Sequence, residues 1–255
     1  MVRFLMAAGA ALALLCGGAN AQSAAAGVPG AAAGFTSSQR AEIVEILRGA
    51  LKADPSILRD ALTAMQSDNA LRQEAAARAA ISSAADALNR TPGDPIAGNP
   101  DAKVTVVEFY DVRCPYCRKM MPEEAEMLRA NSDVKVIYKD IPILGPGSMI
   151  GARAVLAAQK QGGYAQLRTA LMSGPPDVTT EGVMAAAQRL GLDWPRLAHD
   201  MEDASVTARI DANIALARQL DIEGTPAYII GGKMIPGAVD MSELQNAIDT
   251  ARRAN

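Results

Sequence analysis

Apolar residues recur along this chain with two different periods, and the change from one to the other near residue 100 organises everything else. Thr36-Ser37-Ser38-Gln39 has the form of a capping box, and Ile43, Ile46, Leu47, Ala50 and Leu51 follow it at helical spacing. Asp54-Pro55 reads as an N-cap with proline at the first helical position. It opens a second helix on which Ile57, Leu58, Ala61, Leu62 and Met65 recur, and a third, alanine-rich helix is expected over 70–90. These stripes have no evident partners among themselves, because two short helices and a mostly alanine one bury too little area for a core of their own. Residues 36–90 therefore pack either on the domain behind them or on copies from other chains.

Residues 91–103, TPGDPIAGNPDAK, form a turn-rich break and the expected domain boundary. Beyond it, VTVVEFY at 104–110 is rich in β-branched residues and reads as a buried strand. A helix is expected from Cys114 to about residue 130, with Pro115 near its start, and VKVIYKDI at 134–141 is a second strand. Strand, helix, strand in that order demands a crossover and a parallel pair, so the class is α/β. Residues 148–221 look helical, broken at Gly162-Gly163, Gly174-Pro175-Pro176 and Asp193-Trp194-Pro195. AYII, a Gly231-Gly232 turn and KMI then signal a β-hairpin, and 241–253 closes the chain as an amphipathic helix.

The start of the chain changes the chemical context. Arg3, an apolar run from Phe4 to Leu15 and Ala19-Asn20-Ala21 together describe a secretory signal cleaved after Ala21, followed by a small, uncharged flexible lead over 22–35. Cys16 follows Leu15 rather than the small residue that a lipoprotein signal requires. Loss of residues 1–21 would move the formal charge from −3 to −4, since Arg3 is the one charged residue there. A mildly acidic chain with 4% aromatic residues is a poor fit to nucleic acid. No later apolar stretch reaches spanning length, so the mature product is expected to be soluble.

Cleavage would also remove one of three cysteines, leaving Cys114 and Cys117 as a CxxC pair in an oxidising compartment. A zinc site needs four ligands of recognisable spacing, and only His199, on a distant helix, remains as a soft partner. A structural disulfide closing so small a loop would constrain the unfolded chain little. Two thiolates can accept Cu(I). Exchange chemistry suits the pair best: Cys114 falls at the first turn of a helix, where free N–H groups favour a thiolate, with Arg113, Arg118 and Lys119 nearby. Cys117, one turn on, is expected nearer the core, giving an exposed nucleophile and a sheltered partner. His199 reads as a solvated helix residue, Met120 and Met121 as core packing, and Trp194 beside Pro195 as a helix anchor.

CPYC after a strand, a helical insertion, and Gly224-Thr225-Pro226 before a β-hairpin resemble the DsbA-like branch of the thioredoxin superfamily. LKADPSILRDALTAMQ followed by DPIAGNPDAKVTVVEFYD further resembles the ScsC, or suppressor of copper sensitivity, type of periplasmic disulfide isomerase. The resemblance implies a thioredoxin fold over 91–255 with a helical insertion at 148–221, preceded by a helical oligomerisation segment at 36–90. It implies that Cys114 is the nucleophile, Cys117 the resolving thiol and Pro226 a cis-proline facing them. It gives Thr225 the role of offering backbone groups to an extended substrate, Tyr116 a part in tuning the dithiol, and Glu108 that of a buried acid moving the inner thiol's proton; the strand alternation alone leaves open an outward-facing Glu108. No cofactor beyond the redox-active Cys114-Cys117 disulfide is implied. The implied setting is a periplasmic homotrimer serving unfolded or misoxidised secreted proteins and recharged by a membrane thiol reductase. Two alternatives stand beside this: a monomeric DsbA-like oxidase, and a copper-tolerance protein holding Cu(I) at Cys114 and Cys117.

Overall fold

The computed structural model describes residues 34–254; the predicted signal over 1–21 and all but the last two residues of the lead lie outside them. The chain divides into two compact units that meet at Ala64 and Met65. The first holds α1 (Ser37–Ala53) and the opening turns of α2 (Ser56–Ser83). Thr36 and Gln39 form the expected capping box, each satisfying a backbone N–H of the other. No residue of α1 is buried: Ile43, Ile46, Leu47 and Leu51, and Ile57, Leu58 and Leu62 on α2, are all exposed.

α2 runs unbroken where the sequence suggested two helices. Gln66, Ser67, Asp68 and Asn69 look like a break, yet they contain neither glycine nor proline, and polar residues alone do not interrupt the hydrogen-bond ladder. A short α3 (Ala85–Asn89) follows. Ile81, Ala84 and Leu88, from the end of α2 through α3, are buried against Val107, Phe109, Ile137 and Ile229. The C-terminal end of the alanine-rich stretch is thus part of the second unit's core.

That core surrounds a five-stranded sheet of order β1-β3-β2-β4-β5, with β1 (Ile96–Gly98), β2 (Val104–Tyr110), β3 (Val134–Asp140), β4 (Ala227–Ile230) and β5 (Lys233–Pro236). β2 and β3 are parallel, joined through α4 (Pro115–Ala130), and the other pairings are antiparallel. β1 falls inside the stretch read as turns: three residues between Asp94-Pro95 and Asn99-Pro100 are too few to show a period, and they pair as an edge.

Because successive side chains of a strand point to opposite faces, β2 splits cleanly. Val107 and Phe109 face α3, while Val104, Val106 and Tyr110 face the layer containing α4. Glu108 belongs to this second face by alternation and is 0% exposed, so the outward-facing reading does not hold. It lies opposite Tyr138 on β3 and Tyr228 on β4.

The insertion between β3 and β4 comprises α5 (Pro146–Gln159), α6 (Tyr164–Ser173), α7 (Thr180–Arg189), α8 (Trp194–Met201) and α9 (Ala204–Gln219). The α8–α9 break has no glycine or proline; Asp203 makes it by accepting from the N–H of Ser205 as N-cap. At Gly151 an added Cβ would fall 2.4 Å from Val112 Cγ2, so α5 sits against the turn that leads into the cysteines. α10 (Met241–Ala254) closes the chain.

Candidate active site

The site is built where β2 ends. Asp111, buried, accepts from the N–H of Arg113 at 2.8 Å with one carboxylate oxygen and from Ile143 and Leu144 N–H at 2.9 and 3.1 Å with the other. Its carbonyl accepts from Cys114 N–H at 3.0 Å. One side chain thereby fixes both the turn and the loop after β3. The sequence offered a signal for this residue only in retrospect, as an acid directly after a buried strand.

Cys114 is the N-cap of α4, with Pro115 at the first helical position. Its sulfur accepts from Cys117 N–H at 3.5 Å and lies 3.2 Å from the carbonyl oxygen of Thr225, to which the protonated thiol donates. Thr225-Pro226 is a cis peptide bond, and Gly237 N–H donates to the Pro226 carbonyl at 2.8 Å. The structure therefore brings Cys114, Cys117, Thr225 and Pro226 together. It differs from expectation in exposure: Cys114 is only 4% exposed, and Cys117 is 0% exposed. Of the motif, Pro115 and Tyr116 are exposed, Tyr116 at 61%.

The expected source of activation also changes. Arg118 donates to the carbonyls of Val112, Gly174, Leu171 and Pro175, and Arg113 to those of Leu144 and Pro176. Both guanidinium groups tie the motif to the helical insertion. What lowers the Cys114 thiol, to about 6, is chiefly a hydrogen bond from the Cys117 side chain, which with further hydrogen bonds from Thr225 and from the Cys117 and Tyr116 backbone outweighs burial. Cys117 moves the opposite way, far above an ordinary thiol, through burial first, then its bond to Cys114 and the nearby charge of Glu108. Two chemically identical side chains are thus set apart as thiolate and thiol.

This separation has a pH signature. The folded Cys114 thiol lies below its unfolded value of about 8.5, so the stabilisation of the reduced protein is full above that pH and is lost as the pH falls through about 6. The difference in melting temperature between reduced and oxidised protein should move toward the oxidised form over that interval. The buried carboxyl groups are present in both forms and largely cancel in the difference.

Beneath the cysteines, Glu108 accepts from Arg168 of α6 at 2.9 Å, and the same nitrogen donates to Glu124 of α4 at 3.2 Å. Tyr138 also donates to Glu124, and the Arg168 guanidinium lies over the rings of Tyr138 and Tyr110, 4.1 and 4.6 Å from their centroids. Burial, then the charge of Glu124, pushes Glu108 well above the usual carboxylate range, against the pull of Arg168. Away from the site, the His199 side chain is 87% exposed beside Asp200, Met120 is buried, and Met121 packs partly on the core. Among the described residues no three His, Cys, Asp or Glu side chains are grouped to hold a metal ion, and no helix is long and apolar enough to cross a membrane.

A family model described as thioredoxin matches residues 90–250. The chain belongs to the thioredoxin family. Within that family it resembles the ScsC and DsbA-like thiol–disulfide oxidoreductases. A thioredoxin-like oxidoreductase from Silicibacter pomeroyi DSS-3 is 44% identical, with a TM-score of 0.65 over 67% of this chain and 98% of that one. Proteus mirabilis ScsC in a transitional conformation is 29% identical, with a TM-score of 0.64 over 88% of this chain and 99% of that one. Similar sequence also occurs inside larger proteins: Na(+)/H(+) antiporter NhaA 3 of Salinispora tropica is 28% identical over 160 residues, 62% of this chain. The chain spans about a quarter of that relative, 24% of its length.

Proposed function

We propose that the protein is an exported, periplasmic thiol–disulfide oxidoreductase that isomerises or reduces wrong disulfides in other secreted proteins. The observation that carries this reading is the pair of opposed thiols: Cys114 lowered to about 6 at a helix N-cap, Cys117 pushed up and buried behind it. At neutral pH Cys114 is largely thiolate and attacks a substrate disulfide, forming a mixed disulfide and expelling one substrate thiolate, which takes up a proton. If that substrate thiol attacks elsewhere in the substrate and releases Cys114, the disulfide has been isomerised with no net electron flow. If Cys117 attacks instead, the Cys114-Cys117 disulfide forms and the substrate leaves reduced by two electrons. Thr225, whose carbonyl lies 3.2 Å from the Cys114 sulfur, offers its backbone to an extended substrate in this reading.

The exposed apolar stripe of α1 supports association through the helical lead, with three copies as the assembly. A dithiol in an oxidising compartment must be returned to its reduced form, which calls for a membrane thiol reductase as partner. The test is refolding of a scrambled-disulfide protein by the full mature chain and by a Leu47→Asp, Leu51→Asp variant. Substitution is preferable to a cut at Thr91, because Ile81, Ala84 and Leu88 belong to the core beneath the sheet. The expected result is recovery with the unaltered chain, and a variant that still reduces small disulfides yet loses about tenfold or more in recovery as avidity is lost. No recovery by either protein defeats the isomerase reading, and equal recovery by both defeats the role of the helices.

A further inference from the structure

Glu108, Glu124 and Asp140 are all buried on one face of the sheet, and among the described residues Arg168 is the cation bonded to Glu108 and Glu124. The groups facing Glu108 come from every surrounding element: Cys117 and Glu124 from α4, Arg168 from α6, Tyr138 and Asp140 from β3, Tyr228 from β4 and Tyr110 from β2 itself. Asp140 already has two donors, Tyr110 at 2.6 Å and Tyr164 at 3.0 Å. Lys139 points to the other face, where it pairs with Asp94. Three carboxyl groups thus feel one cation, Arg168, and Glu108 is the one of them whose charge reaches Cys117. Glu108 Oε1 is buried with no hydrogen-bond partner, as is the hydroxyl of Tyr228 opposite it.

A free carboxylate oxygen in such a place is either a stored proton or a site waiting for one. Glu108 Oε2 and Glu124 Oε2 share a single guanidinium nitrogen, so any change in charge on Glu124 or Arg168 is felt directly at Glu108. We propose that Arg168 and Glu124 are positioning residues that set when Glu108 can accept the proton of Cys117, and so set the pH at which the dithiol resolves its own mixed disulfide. The inference rests on the exchange chemistry proposed above. In the step concerned, Cys117 sulfur attacks Cys114 sulfur, the bond between Cys114 and the substrate breaks, and the Cys117 proton passes to Glu108. The substrate leaves as a thiolate and is protonated by solvent; the two cysteines are oxidised as the substrate is reduced.

Arg168 and Glu124 act on Glu108 with opposite sign, which makes the idea testable. The reduced protein is converted in acid to the mixed disulfide of Cys114 with 5-thio-2-nitrobenzoate, the pH is jumped, and release of the coloured thiolate is followed as a function of final pH. With the unaltered chain the release rate rises through an apparent pKa. Glu124→Gln keeps the shape and removes the like charge, so that pKa should fall by about one unit; Arg168→Met removes the cation, so it should rise by about one unit. Arg168→Lys, which restores the charge, should return most of the shift. A fold that tolerates Arg168→Met poorly leaves Glu124→Gln to decide, since its amide oxygen can still accept from Arg168 while its nitrogen donates to the Tyr138 oxygen. Rates that fall in both variants with unchanged pKa, or shifts of the same sign, would overturn the proposal. No thiolate release from the unaltered chain would overturn this proposal and the exchange reading together.

Discussion

A Cys117→Ser variant is expected to stop half-way through its reaction and accumulate as a mixed disulfide with its substrate. The attacking sulfur is untouched in this variant, and the N–H of residue 117 that points at Cys114 comes from the backbone, so it survives the substitution. What is lost is the second sulfur, held within the same turn and needing no diffusion to attack. Replacing an intramolecular nucleophile by one from solution lowers its effective concentration by at least about a thousandfold, and release should slow accordingly at millimolar external thiol. Cys114→Ser should behave differently: a serine hydroxyl does not exchange with disulfides, so both attack and adduct vanish. Mass spectrometry of acid-quenched reactions distinguishes the two. Adducts of equal abundance in both variants would mean that the assignment of outer and inner cysteine is mistaken, despite the opposite displacement of their thiols.

The second large effect is on stability. Arg168→Met is expected to lower the unfolding free energy of the oxidised protein by about 3–5 kcal/mol, because it leaves Glu108 and Glu124 buried without their cation. Desolvation of a guanidinium disfavours its charge, yet the surrounding carboxylates hold Arg168 well above its ordinary value, so its proton is firmly retained. Glu124→Gln should lower stability less, by about 1–3 kcal/mol, since it exchanges a charged acceptor for a neutral one. Denaturant titration at fixed pH measures both. An Arg168→Met loss below about 1 kcal/mol would show that the carboxyl groups are neutralised without it.

These residues also show where the sequence was readable and where it was not. β2, β3 and the β4–β5 hairpin were visible because each is a run of β-branched or aromatic residues bounded by turn formers, and CPYC announced itself by spacing. β1 was hidden, being too short to show a period. Arg168 and Glu124 were missed, although each left a mark. Arg168 lies in the buried stripe Tyr164, Leu167, Leu171 and Met172, and Glu124 in the stripe Cys117, Met120 and Met127. A charged residue in an apolar stripe of a helix implies a buried partner, but which partner depends on how α4 and α6 meet over the sheet, a long-range fact that no local pattern contains. Arg113 and Arg118 have a second role that nearness in sequence did not show: the insertion supplies carbonyls that bind both guanidinium groups, while Arg118 still feels the charge of Cys114. The face of Glu108 was undecided for want of one alternation partner, and the pairing with Tyr138 and Tyr228 supplies it.

The exchange chemistry requires Cys114 to be a thiolate where Cys117 is not, and ultraviolet titration of the reduced protein measures that directly. A single thiolate should appear with an apparent pKa of about 6, persist in Cys117→Ser, whose hydroxyl can donate in place of the Cys117 thiol, and disappear in Cys114→Ser. Absorbance that develops only above about pH 8, the range of an unperturbed thiol, would contradict it.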